Sequence, residues 1–156
     1  MNAHRLQTTP HRILLADAEH TARSALEELL REEGYRVTPA SNGAEARAAL
    51  EAHVADLLLM DLSLALADGE ALLEIVRARY PEVSTILMTG FPPYEPRVAH
   101  VLQNPNVEII RKPVDLQTLF DAVDLASSRT RLVTGVVPRQ TGKWIPASLG
   151  EFTEVR

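Results

Sequence analysis

Apolar residues recur along the chain in two alternating rhythms. RILLA (12–16) is a short apolar run of the kind that forms a strand, and it is followed by Ala22, Ala25, Leu26, Leu29 and Leu30, which share one helical face up to Gly34. RVTPA (36–40) reads as a second strand, and Pro39 assigns it to a sheet edge or a strand end. Ser41-Asn42-Gly43 then predicts the start of an Ala-rich helix over AEARAALEAH. Leu57 to Met60 is continuously apolar, the mark of a strand covered on both faces. Leu72, Leu73 and Val76 predict a helix from Gly69 to Tyr80, stopped by Pro81. VSTILM (83–88) and VEIIR (107–111) predict strands four and five, separated by a proline-rich segment whose short helix starts near Pro96. Leu116, Leu119, Phe120 and Val123 give a fifth amphipathic helix. Five strands alternating with five helices predict an α/β fold, a parallel sheet with helices on both faces.

Charge divides the chain. Residues 11–128 carry 19 Asp and Glu against 10 Lys and Arg, a local charge of −9 within an overall −5. Such a body argues against direct DNA binding. The segment 129–156 is mildly basic and breaks the alternation, so the expected organisation is a flexible stretch at 1–10, one domain at 11–128, and a tail at 129–156. That tail is either flexible or docked as a strand or hairpin through Val133, Val136, Val137, Trp144 and Ile145. No apolar run is long enough for a membrane span, and MNAHRLQTTPHR lacks the apolar region of a signal peptide. With no cysteine, thiolate metal sites and disulfides are excluded, and the expected location is the cytoplasm.

In open α/β sheets ligands gather beyond the carboxyl ends of the strands. That rule selects Asp17, Asp61, Thr89 and Lys112, which follow or end strands one, three, four and five. A carboxylate can attack phosphorus, and phosphoryl transfer needs its equatorial oxygens neutralised by a lysine and by Mg²⁺ held on carboxylates. The other readings are blander: Asp17 as a helix cap, Asp61 as a solvated strand end, Lys112 as its structural partner. His4, His11, His20, His53 and His100 show no ligand spacing, TGKW (141–144) lacks the glycine loop of a nucleotide site, and Glu27, Glu28, Glu32 and Glu33 read as a solvated helix face.

Through ILLADAE, DLLLMDLSLALADG, ILMTG and RKP, in this order and spacing, the chain from Arg12 to Ala126 resembles the receiver domains of two-component response regulators. The resemblance implies a flavodoxin-like, doubly wound (βα)5 parallel sheet of strand order 2-1-3-4-5. It implies that a sensor histidine kinase or phosphotransfer protein donates a phosphoryl group to Asp61, that Thr89 and Lys112 contact it, and that the Lys112-Pro113 peptide bond is cis. Mg²⁺ would sit on Asp17, Asp61 and the Ser63 backbone carbonyl, with Glu19 reaching it through a water. The protein would be no enzyme in its own right beyond taking part in its own phosphorylation and dephosphorylation. It would signal to a downstream protein, with pairing to a second copy left open.

The chain departs from the family pattern in four places. Ala18 stands where a second acid usually follows Asp17, which predicts weak Mg²⁺ binding. Ile109 replaces a common aromatic, Gly90 a common alanine, and Leu64-Ala65-Leu66 a Met-Pro-Gly loop expected to follow the acceptor strand. Ala18 therefore raises an alternative, a pseudo-receiver that docks a partner without phosphorylation. A second alternative has the tail from Arg129 pack on the domain or on a second copy. The initial methionine and the missing output domain lead to the expectation of a stand-alone regulator.

Overall fold

The computed structural model describes residues 12–92, 94–104 and 107–132. Its strands are β1 (Arg12–Ala16), β2 (Arg36–Ala40), β3 (Leu57–Asp61), β4 (Ser84–Thr89) and β5 (Val107–Arg111). They are joined by α1 (His20–Glu32), α2 (Gly43–Glu51), α3 (Leu62–Arg79) and α4 (Pro96–Leu102), and α5 (Leu116–Leu132) follows. All pairings are parallel in the order β2-β1-β3-β4-β5, so the expected topology holds and the Pro39-bearing strand is at an edge.

Alternation along each strand builds two cores. Leu14, Leu58, Leu87 and Ile109 face one side, against Leu50 of α2, Val76 of α3 and Val98 of α4. Ile13, Leu15, Leu59, Ile86 and Met88 face the other, against Leu30 of α1 and Leu119 and Val123 of α5. Burial on both faces explains why β3 is apolar at every position before Asp61. At the N-terminal end of β1, Arg12 grips Asp56 with Nε at 3.2 Å and Nη2 at 2.9 Å.

Three boundaries differ from the sequence reading. The helix expected from Gly69 begins at Leu62, directly after β3, so the expected 64–66 loop is helical. LSLALA consists mostly of good helix formers, and Asp61 caps it by accepting from the Ser63 N–H at 2.9 Å. Leu62, Leu64 and Ala65 are buried, which holds the added turn against the sheet. β4 lies one residue later than expected and takes in Thr89, and α5 continues to Leu132, past the expected domain end at 128. The segment 1–10 and the proposed contacts of Val133, Val136, Val137, Trp144 and Ile145 lie outside the described residues.

Gly34 closes α1 as the sequence predicts, with φ at +98° and Tyr35 N–H donating to the Leu30 carbonyl. A Cβ there would meet nothing within 4 Å, so only the backbone conformation opposes a side chain. Gly34→Ala is expected to cost about 1 kcal/mol, read as a lower urea midpoint at unchanged slope.

Candidate functional site

The β-strand carboxyl ends bring four side chains to one crest. Asp17 follows β1, its N–H tied to the Ala40 carbonyl of β2 at 3.0 Å. Asp61 ends β3 and Thr89 ends β4. Lys112 follows β5, and its backbone N–H donates to the Thr89 carbonyl at 2.8 Å, which holds the lysine beside strand four. The next peptide bond, Lys112-Pro113, is cis.

Lys112 links the two acids. Its Nζ lies 2.5 Å from Asp61 Oδ1 and 3.9 Å from Asp17 Oδ2. Burial works against the lysine's charge, but the hydrogen bond and charge of Asp61, followed by Asp17 and Glu19, outweigh it and raise its pKa above the ordinary lysine value. Asp61 Oδ2 takes the Ser63 N–H, so both carboxylate oxygens of Asp61 are engaged, one by an ammonium and one by a helix N-terminus.

Asp17 is arranged differently. Oδ1 accepts from the Glu19 N–H at 2.9 Å, while Oδ2 is buried with no hydrogen-bond partner. An anionic oxygen left this way is costly unless a cation lies close by, and the donor chemistry fits a hard cation such as Mg²⁺. Asp17 and Asp61 supply two carboxylates. Ala18 supplies none, and no group of three acidic or histidine side chains able to hold a metal occurs among the described residues. The Glu19 carboxylate makes no hydrogen bond into the pocket among the described residues, though its charge acts on Lys112.

Ser63 is the second residue of α3, and its N–H donates to Asp61 Oδ2 at 2.9 Å, which sets its backbone beside the acceptor carboxylate.

Two contacts escaped the sequence reading. Arg23 donates from Nη1 to the Asp17 carbonyl at 2.7 Å and so fixes the β1–α1 turn. Its signal was available, because an arginine in the first turn of a helix opposes the helix dipole and calls for a partner. His20, at the start of α1, is exposed as expected, with Nδ1 3.4 Å from Arg23 Nη2. Thr89 Oγ1, buried, accepts from the Phe91 N–H at 2.9 Å. Nothing in the residue types announces that bond.

Known proteins are similar to this chain in sequence and fold. Residues 13–124 match the family model described as response regulator receiver domain. The transcriptional regulatory protein PdtaR of Mycobacterium tuberculosis is 33% identical over 129 residues, covering 81% of this chain and 62% of that protein. The transcriptional regulatory protein ZraR of Salmonella typhimurium is 32% identical over 141 residues, covering 90% of this chain and 30% of its own length. This chain thus spans less than two thirds of either relative. A signal receiver domain of an HD domain-containing protein from Pseudomonas fluorescens superposes with a TM-score of 0.71 at 27% identity, covering 79% of this chain and 98% of that one. The chemotaxis response regulator CheY4 of Vibrio cholerae shares the fold, with a TM-score of 0.65 at 21% identity, covering 76% of this chain and 99% of that one. No helix among the described residues is long and apolar enough to cross a membrane. With family model, relatives, topology and crest in agreement, the chain belongs to the response regulator receiver domain family.

Proposed function

We propose that Asp61 accepts a phosphoryl group from a sensor histidine kinase or phosphotransfer protein in the cytoplasm, and that the modified domain signals by binding a downstream protein. Aspartyl phosphorylation is typical of the family, and its members generally bind Mg²⁺ at the acidic pocket. The observation that carries the reading is the Lys112 ammonium seated on Asp61, with Asp17 Oδ2, which accepts no hydrogen bond, 3.9 Å from the same ammonium.

In the reaction an Asp61 oxygen forms a bond to phosphorus while the phosphorus–nitrogen bond of the donor's phosphohistidine breaks, and the imidazole leaves with the bonding pair. Lys112 balances charge on the phosphoryl oxygens, and the Thr89 hydroxyl donates to one of them. The Ser63 N–H keeps the carboxylate oriented. Asp17, Asp61 and the Ser63 backbone carbonyl would hold Mg²⁺, with water completing the ligands that Ala18 does not supply, and the bound ion would neutralise the transferring group. The chain is then an acceptor that takes part in its own phosphorylation and dephosphorylation, without a separate substrate. The acidic body leaves direct DNA contact out of the proposal.

The pseudo-receiver alternative finds no support in the comparisons, and the acceptor, hydroxyl and lysine it would leave unused are all present at the crest. Incubation with a small phosphodonor and Mg²⁺, followed by intact mass, is expected to give one phosphoryl adduct on the native chain and none on Asp61→Asn. An adduct of equal extent on folded Asp61→Asn would sink the assignment.

A further inference from the structure

α4 is too short to cover the sheet from end to end. Its seven residues span about 10 Å, whereas the six residues of β4 span about 20 Å. Val98 and Val101 of α4 join the core with Ile109, but Val107, two residues earlier on the same face of β5, is only half-buried. A groove opens there, at the amino ends of β4 and β5. It is lined by Leu73 and Val76 of α3, Pro81 and Val83 of the turn that follows, Thr85 and Val107. It holds about 290 Å³, at the foot of the usual range for small-molecule pockets, and it is open to solvent, a shape suited to one protruding side chain.

The chain itself supplies an occupant. α5 runs back along the opposite face of the sheet, where the Ser84 hydroxyl donates to the Ala126 carbonyl at 3.3 Å. Leu132 lies about 9 Å further along that helix, so residues 133–156 begin at the same end of the sheet as the groove. β5 is an edge strand, and a segment can pass round it from one face to the other. From Val133 to Trp144 an extended chain reaches about 40 Å, more than that path needs.

The chemistry of the two parts matches. Trp144 is the sole tryptophan, and burying such a ring removes roughly 150–250 Å² from water. Its indole N–H needs an acceptor, and the Thr85 hydroxyl offers one in the groove wall. Arg77 on the rim is held by Glu74 at 2.7 Å, which leaves Glu82, exposed between Pro81 and Val83, as the unpaired acid beside the groove among the described residues. Lys143 immediately precedes the ring, and the basic segment 129–156 follows an acidic body. We propose that Trp144 seats in the groove formed by α3, β4 and β5 of its own chain, with Lys143 beside Glu82. The groove lies at the other end of the sheet from Asp61, so this inference stands apart from the phosphoacceptor reading.

Trp144 fluorescence on the full chain tests it directly. Emission should be blue-shifted, and acrylamide should quench it several-fold less than in the urea-unfolded chain. Because the chain has no cysteine, a thiol-linked energy acceptor can be placed at will. An acceptor on Gln103→Cys, beside the groove, should take up Trp144 emission strongly, and one on Glu28→Cys, on α1 across the sheet, only weakly. Both positions are exposed, so both labelled chains should keep the native urea midpoint. Lys143→Glu should weaken the protection, and adding Glu82→Lys should restore it. Equal transfer to the two positions, or quenching as strong as in the unfolded chain, overturns the inference. Transfer to position 103 that fades on dilution gives the groove to a second copy and overturns it equally.

Discussion

Lys112→Met is expected to give a folded domain that takes up phosphoryl groups from a small donor roughly 100-fold more slowly than the native chain. The ammonium is the one full positive charge in hydrogen-bond contact with the Asp61 carboxylate among the described residues. It sits where charge from the donor's phosphoryl oxygens must be balanced, and methionine matches its length without its charge. The same change removes the counter-charge shared by two buried acids. Because the lysine side chain is 32% exposed, the stability loss should fall below that for breaking a fully buried pair, at about 1–2 kcal/mol. Mg²⁺ should restore part of it, since a bound cation replaces the missing charge. The lysine's pKa is raised, so the pair contributes fully below the ordinary lysine value of about 10.4 and is lost only above the still higher folded one. The deficit should therefore be flat across neutral pH. Time courses by intact mass, with urea midpoints at pH 6 to 8, measure both quantities. Uptake at the native rate would remove Lys112 from the site.

The crest was legible because two rules meet there. A parallel sheet covered on both faces makes Ile13–Ala16 of β1, Leu57–Met60 of β3 and Ile86–Met88 of β4 unbroken apolar runs, so the first polar residue after each run is placed at the ligand edge by topology alone. Asp17, Asp61 and Thr89 follow from that, and Lys112 from the end of β5. The start of α3 was not legible. LSLALA follows an apolar strand without a break in hydrophobicity, and only the capping bond from Ser63 to Asp61 shows where strand gives way to helix. The Phe91 amide and the Asp17 carbonyl were hidden for another reason. They act through backbone atoms, which every residue possesses.

The pocket thus holds one engaged carboxylate and one half-satisfied carboxylate, with an alanine between Asp17 and Glu19. Ala18→Asp should raise Mg²⁺ affinity by at least about tenfold. Even groups that only support a metal's ligands change affinity by about 10 to 100-fold, and this change adds an oxygen donor at the pocket itself. Ala18 is exposed, and nothing buried is displaced by the longer side chain. Without metal, the third carboxylate crowds Asp17 and Asp61 around a single lysine and should lower the urea midpoint. With metal, the order should reverse, because stabilisation grows with the ratio of free Mg²⁺ to its dissociation constant and reaches about 2.7 kcal/mol at a ratio of 100. A crossover of the two unfolding midpoints along a Mg²⁺ series is therefore the expected result, together with phosphorylation of the variant at lower Mg²⁺. Parallel midpoints with no crossover would mean that the pocket takes its cation elsewhere than at Asp17, and that the orphaned oxygen is satisfied by Lys112 alone.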